Sequence, residues 1–264
     1  MLEQKFIESV MDKAWPACER KDTGEWVLRA SDGVTQRANS VWPKKLPGED
    51  GHTVAGRSAL VDAVRSASDW YRKRRLPAIF QVFDDHRSSA LNAVLDEQRF
   101  SRQSVTRIMI RGVDGRSVVP TQHAVELSEQ PSEEWLQVWW SVDGRGGDAA
   151  LSTARKILMG CQSVYALVRD DDGVPAAVGR LALVDGWGGI YSMATTEAHR
   201  RRGYASTVLA GLLNEGTARR LEGFWLLVTD ANKGAQALYS QSGFTDYGSY
   251  LYRQAPLKRA PGGC

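Results

Sequence analysis

Residues Arg200-Arg201-Arg202-Gly203-Tyr204-Ala205 stand between a strand-like run and a helix-like one. Before them comes the apolar stretch Gly189-Ile190-Tyr191-Ser192-Met193-Ala194-Thr195. After them Ser206-Thr207 opens a run, Val208-Leu209-Ala210-Gly211-Leu212-Leu213, with helical spacing. A strand that turns through Gly203 into a helix aims several backbone N–H groups and the positive end of the helix dipole at one point. Three arginines add mobile positive charge there. An anion is the expected occupant, and a pyrophosphate suits the geometry best. A charge run alone would read as solvated surface; the strand-turn-helix setting is what separates this one.

A second strand is expected at Phe224-Trp225-Leu226-Leu227-Val228, followed by Asn232 and a helix through Ala235, Leu238 and Tyr239. Gly243-Phe244 supplies a glycine stop and an apolar anchor behind it. The strand end Met193-Ala194-Thr195, the R-R-R-G-Y-A turn, and Asn232, Tyr239, Gly243 and Phe244 in order make the chain similar to the GNAT superfamily of acetyl-CoA-dependent N-acetyltransferases over roughly residues 120–254.

The resemblance implies an α/β (α+β) fold, a mixed, mostly antiparallel sheet flanked by helices. It implies acetyl-CoA as cosubstrate. The turn from Arg200, Arg201 and Arg202 through Gly203, Tyr204, Ala205 and Ser206 would hold the pyrophosphate. The edge of Met193, Ala194 and Thr195 would pair with the pantetheine arm and offer an amide to the acetyl oxygen. Asn232 would bond the same arm, and Tyr239 would act as general acid for the leaving thiolate. The general base stays open among a water chain, Tyr191, His199 and a residue of the N-terminal half, because Gly189 and Leu227 occupy the places where a carboxylate is usual.

The N-terminal half repeats the order strand, loop, helix, strand, helix, strand. Helices are expected at 3–15, at 57–74 and at 87–98, and strands at 25–29, 35–41, 78–82 and 106–110. Phe100 and Phe244, Leu95 and Tyr239, and Ser88 and Asn232 stand at one constant separation, a weak internal repeat. Two tandem GNAT-like folds are therefore expected: a degenerate one over 1–115, a catalytic one over 120–254, and a tail over 255–264. The first lacks the arginine-glycine turn and has Leu95 at the tyrosine position. The boundary falls at the Gly112-Val113-Asp114-Gly115 turn and Pro120. The helices at 132–142 and 148–159 and the strand pair 164–169 and 176–184 complete the second half. Trp135 and Trp139 read as a packing stripe.

Glu25-Trp26-Val27-Leu28-Arg29, with Arg37-Ala38-Asn39-Ser40-Val41 downstream, resembles actinobacterial tandem GNAT proteins, some of them N-acetylglutamate synthases, although Glu25 departs from that pattern. On this resemblance glutamate is a candidate acceptor. Arg37 and Asn39, on one face of an expected strand, and Arg29 on its neighbour are the candidate carboxylate ligands, with a salt bridge or buried network between hairpin strands as the equal alternative.

Composition bounds the rest. The 264 residues are 42% hydrophobic and 25% charged, with a net charge of +3, a globular profile. No apolar run reaches the roughly 18 residues of a membrane span, and the mixed-charge N-terminus lacks a secretory core, so a cytoplasmic protein without a membrane partner is expected. Cys18, Cys161 and Cys264 are few and distant, and no metal-ligand spacing occurs. The basic clusters are not interleaved with aromatics, which argues against nucleic acid. The reaction expected is direct attack by the amine of a small molecule on the thioester in a ternary complex. A protein acetyltransferase and a non-catalytic CoA sensor are the rivals, and the oligomeric state is open.

Overall fold

In the computed structural model, which describes residues 3–46, 53–103, 105–113 and 119–256, helix α1 (Gln4–Ala14) buries Ile7, Val10, Met11 and Ala14, a single stripe at helical spacing. Strands β1 (Glu19–Asp22), β2 (Trp26–Ala30) and β3 (Val41–Pro43) follow, then helix α2 (Val54–Lys73), β4 (Ile79–Phe83), α3 (Ser89–Glu97), β5 (Ser101–Arg102) and β6 (Thr106–Gly112). The C-terminal half runs β7 (Glu126–Ser128), α4 (Glu133–Asp143), α5 (Asp148–Met159), β8 (Ser163–Arg169), β9 (Pro175–Val184) and β10 (Trp187–Thr195). It continues with α6 (Tyr204–Ala218), β11 (Gly223–Thr229), α7 (Lys233–Gln241) and β12 (Thr245–Gln254). Thr53 and Ser132 cap α2 and α4 by accepting from the amides of Gly56 and Trp135, the role such residues have at helix starts.

Two compact units emerge, and both draw on both halves of the chain. The first contains Met1–Pro16, Ile108–Val228 and Asn232–Tyr247. Its strand order is β6-β11-β10-β9-β8-β7. β7, β8, β9 and β10 are successively antiparallel, and β10 pairs with β11 in parallel. Val208, Leu209, Leu212 and Leu213 of α6 enter one core cluster with Val164, Ala166, Leu181, Ile190 and Leu226 of the sheet. Trp135 and Trp139 of α4 are buried, and the Trp135 indole N–H donates to the Ala166 and Gly179 carbonyls at 3.1 and 3.2 Å. Burying each of the valine, leucine and isoleucine side chains of the core cluster stabilises by about 1.5–3 kcal/mol.

The second unit contains Ala17–Arg107, Thr229–Ala231 and Gly248–Cys264. Its order is β1-β2-β3-β4-β12, with β5 also on β12. β1, β2 and β3 are antiparallel and β3 pairs with β4 in parallel through Val41 and Phe80. That wiring matches β8, β9, β10 and β11, with α2 in the place of α6 and α3 in the place of α7. The last strand is exchanged. Unit one is completed by β6, which follows α3 in the chain, and unit two by β12, which follows α7. The unit boundaries therefore follow strand exchange, while residues 114–118 of the expected sequence boundary lie outside the described residues, as does most of the chain between β3 and α2.

One expected strand is absent. Residues 35–40 do not pair; β3 begins only at Val41, and 31–40 form a loop with left-handed backbone at Asp32, Gly33 and Thr35. The cause is Asn39. Its Oδ1 accepts from the amides of Ser31 and Gly33 at 2.7 and 2.9 Å, and its Nδ2 donates to the carbonyls of Val34 and Thr35 at 2.7 and 2.8 Å. Those bonds replace a sheet ladder. β1, with all four residues exposed, and the charged, aromatic β12 carry too little apolar alternation to read from sequence.

Candidate functional site

The parallel pairing of β10 with β11 runs only from Trp187–Gly223 to Ile190–Leu226. Beyond it the two strands part, while β10 continues to Thr195 against β9 alone, with Ala194 opposite Val178 and Thr195 opposite Ala177. At the point of parting, the β9–β10 register shifts between Tyr191 and Ala194, so that Ser192 and Met193 together face Gly179. This is a β-bulge, a device that re-aims a strand. Ser192 takes a left-handed φ of 53° there, and its hydroxyl oxygen is buried without a hydrogen-bond partner among the described residues. Gly179 has to be glycine, since a Cβ would lie 2.6 Å from the Met193 sulfur and 2.7 Å from Val208. Met193, Ala194 and Thr195 thus present the side of a strand that β11 has left.

From Thr195 a short 3-10 turn at Glu197–His199 leads into Arg200–Gly203 and then α6. Arg201 and Gly203 are left-handed, with φ of 60° and 85°. The first helical bond runs from the Thr207 amide to the Gly203 carbonyl at 3.0 Å, so the amides of Tyr204, Ala205 and Ser206 point ahead of the helix. No acidic residue sits in the first turn. The Ser206 hydroxyl donates to the Gly203 carbonyl at 2.6 Å. Arg200, Arg201 and Arg202 are exposed, and their side chains have no hydrogen-bond or ion-pair partner among the described residues. Free cations around unsatisfied amides with no local anion make an anion site. The turn is pinned from behind. Tyr204 is buried, stacks on His123 at 4.7 Å and meets the edge of His199 at 5.4 Å. His199 Nδ1 lies 2.6 Å from the Thr196 hydroxyl and Nε2 2.9 Å from Asp170, whose carboxyl that hydrogen bond holds below its ordinary range.

Helix α7 follows β11, the strand that parts from β10. Asn232 caps it, its Oδ1 accepting from the Ala235 amide at 3.1 Å. That cap uses the side-chain oxygen alone. Tyr239 is 8% exposed, and its ring meets Phe244 edge-on at 6.1 Å. Its hydroxyl makes no hydrogen bond among the described residues, and burial pushes its pKa up to about 12. Gly243, with φ of 84°, lets the Phe244 amide return to the Tyr239 carbonyl at 3.0 Å and close the helix.

Where a carboxylate would be usual there is an aromatic pair. A Cβ on Gly189 would lie 2.5 Å from Trp225 and 2.6 Å from Tyr191, so the glycine lets the Trp225 indole donate to the Tyr191 hydroxyl at 3.1 Å. Trp15 stacks on Tyr191 at 5.6 Å. Both base candidates, Tyr191 and His199, are thus engaged by neighbours, and Glu197 is exposed. Beside Tyr191 lies a group that sequence reading passed over. Arg180, fully buried, donates to the Ser163 hydroxyl and to the Ala14 carbonyl at the end of α1, both at 3.0 Å. An arginine inside the apolar run Ala176-Ala177-Val178-Gly179-Arg180-Leu181-Ala182 was the available signal.

Arg29, Arg37 and Asn39 belong to unit two. Arg29 is 2% exposed, and its guanidinium donates to the Ser40 carbonyl, the Ser40 hydroxyl and Gln81 Oε1 at 3.0, 3.0 and 2.7 Å. Asn39 is filled by its own loop, and Arg37 lies on that loop rather than on a strand face. Of the set expected to hold a carboxylate, Arg29 and Asn39 bond within the protein, Arg29 linking β2 to Ser40 and β4, and Asn39 closing loop 31–40. Among the described residues no group of three or more His, Cys, Asp or Glu is arranged for a metal ion.

Known proteins share this chain's features. The family described as "Probable histone acetyltransferase Rv0428c C-terminal" matches residues 3–253. The uncharacterized N-acetyltransferase YobR of Bacillus subtilis (strain 168) is 24% identical over 252 residues, which cover 94% of this chain and 96% of YobR. A GCN5-related N-acetyltransferase from Kribbella flavida superposes with a TM-score of 0.71 at 17% identity, over 100% of this chain and 97% of its own. A tandem GNAT protein from the clavulanic acid biosynthesis pathway, solved without AcCoA, gives a TM-score of 0.63 at 15% identity, over 96% and 89%. These two structures share the fold.

Proposed function

We propose that this chain, which belongs to the Rv0428c C-terminal family and is an acetyltransferase of the GNAT type, moves the acetyl group of acetyl-CoA to the amine of a small molecule in unit one. The observation that carries the reading is the parting of β10 from β11 directly ahead of an uncompensated helix N-terminus ringed by free arginines. An extended arm can add to the exposed edge of β10 while its diphosphate rests on the amides of Tyr204, Ala205 and Ser206. Arg200, Arg201 and Arg202 add charge-assisted contacts. The Asn232 amide nitrogen donates to the arm from α7.

The chemistry needs an oriented amine, a stabilised oxyanion and a stabilised thiolate. The amide of Met193 or Ala194, re-aimed by the bulge, donates to the acetyl oxygen; a donor of this kind contributes about a hundredfold or more. Tyr239 stays protonated at every physiological pH. Its raised pKa lies well above that of a cysteine-like thiol, about 8.5, so complete proton transfer to a thiolate is uphill. Tyr239 therefore serves as a hydrogen-bond donor to the developing sulfur charge. The amine proton leaves through water, since no carboxylate lines β10 or β11 at this point. Orientation of both reactants supplies much of the remaining acceleration.

The test is a screen of small amines, with amino acids including glutamate, polyamines and a histone-tail peptide as separate arms, read by CoA thiol release. Turnover with a small amine supports the reading. Turnover confined to the peptide turns it into a protein acetyltransferase, and tight acetyl-CoA binding with no turnover across the panel leaves a CoA sensor.

A further inference from the structure

We propose that Gln122, outside the turn motif, is a further ligand of the cofactor's diphosphate, delivered by a strap of chain that crosses α6. The inference rests on the reading of the Gly203 turn given above. Residues 119–125 are pinned along α6 at three points. The Val119 amide donates to Asn214 Oδ1 at 2.7 Å, and Asn214 Nδ2 returns a bond to the Val119 carbonyl at 2.9 Å. Val125 fills the space over Gly211, where a Cβ would lie 2.7 Å from its Cγ1. His123 stacks on Tyr204, the first residue of the helix. Between these anchors Gln122 is directed at the turn. Its Oε1 lies 2.4 Å from where a Cβ on Gly203 would stand, and the Ser206 hydroxyl oxygen is 3.9 Å from the same point.

Gln122 is exposed, and its carboxamide has no hydrogen-bond partner among the described residues. An uncommitted amide lying against Gly203 is pre-positioned, because the anchors on either side have already restricted the backbone that carries it. A diphosphate presents only acceptors. The amide must then offer Nε2, which a rotation about its terminal sp³–sp² torsion achieves at low cost. The bond formed is a neutral donor on a charged acceptor, stronger than a neutral pair. Gly203 thereby has two reasons to lack a side chain: its φ of 85° and the carboxamide that lies against it.

Calorimetry with CoA and with 3′-dephospho-CoA, on the wild type and on Gln122→Ala, Gln122→Glu and Gln122→Lys, tests this. Unchanged Tm in all three variants is the control that the strap stays docked. The expected order of affinity is Lys at or above Gln, then Ala three- to tenfold weaker, then Glu weaker than Ala by a further tenfold that narrows as salt rises. The same losses are expected with both ligands, because the diphosphate is common to them. Equal affinities across the series, or Ala binding more tightly than Gln, would overturn the proposal; the latter would make Gln122 a plug. Losses seen only with CoA would move the contact to the 3′-phosphate and overturn it as stated. A wild type that binds neither ligand defeats the reading of the turn itself, and the inference falls with it.

Discussion

At the scale of single residues, two of the left-handed positions in unit one have opposite consequences. Gly203 has the φ of 85° that glycine adopts freely, next to a carboxamide and unsatisfied amides. Gly203→Val should abolish acetyl-CoA binding by calorimetry while the chain still folds; wild-type affinity in that variant would remove the anion site. Ser192, at φ 53°, is a hydroxyl residue where glycine would be unstrained, and its buried oxygen has no hydrogen-bond partner among the described residues. Ser192→Gly should therefore stabilise the fold by about 1 kcal/mol, a Tm rise of roughly 2–4 °C in a thermal melt. Tyr239→Phe should leave the affinity for acetyl-CoA unchanged and lower kcat by about ten- to a hundredfold. Because the phenol is pushed up to about 12, its protonation should leave no inflection in the kcat–pH profile between pH 6 and 10. Gly203 and Tyr239 were legible in the sequence because each stands in a pattern with its neighbours. Ser192 was not, since a bulge is a relation between two strands and only the register of β9 on β10 reveals it.

At the scale of elements, the start of α7 and the approach to α6 carry separable roles. Asn232 is a cap and, in the function proposed above, a donor. Asn232→Asp keeps the oxygen that accepts from Ala235 and adds charge where the dipole favours it, yet removes the amide nitrogen. Stability should hold while affinity for acetyl-CoA falls several-fold; Asn232→Ala should lose both, with about 1 kcal/mol of stability. If the aspartate variant binds as the wild type does, Asn232 is a cap alone. The link from the β8–β9 tip to the turn has a predictable acid limit. Asp170 is held low by His199, so its folded pKa lies below its unfolded one. The stabilisation is present above the ordinary carboxylate range and is lost as pH falls through the folded value. Asp170→Asn should flatten that part of the acid-unfolding curve. Most helix periods and strand runs were readable, down to the limits of α5, but β1 and β12 were not. Loop 31–40 was not: Thr35 to Val41 has the composition of a strand, and one buried asparagine diverts it. The same asparagine and Arg29 spend their hydrogen bonds within unit two, which favours the structural alternative for that set over the carboxylate-binding one.

At the scale of the whole molecule, the matching order of strands in the two units gives the weak repeat a structural counterpart, while the unit boundaries cross the sequence boundary. Sequence could show that Phe100 repeats Phe244; it could not show which sheet the strand after each would join. We propose the cut near residues 112–120 as the line between the repeated halves in ancestry only. Expressed apart, 1–115 and 116–264 should each lack the cooperative melt of the intact chain. Mixing them should restore acetyl-CoA binding; a well-folded, binding-competent 116–264 would refute this. The exchange of β6 for β12 also sets a timetable for biosynthesis. β4 is made early, but its antiparallel partner is residues 250–254, far downstream in the chain. At common elongation rates that leaves on the order of ten to thirty seconds on the ribosome with an unsatisfied sheet edge, the surface that recruits foreign strands. Slow translation of the second half should accordingly raise aggregation of nascent chains, and the cell has reason to keep a chaperone at hand until β12 emerges.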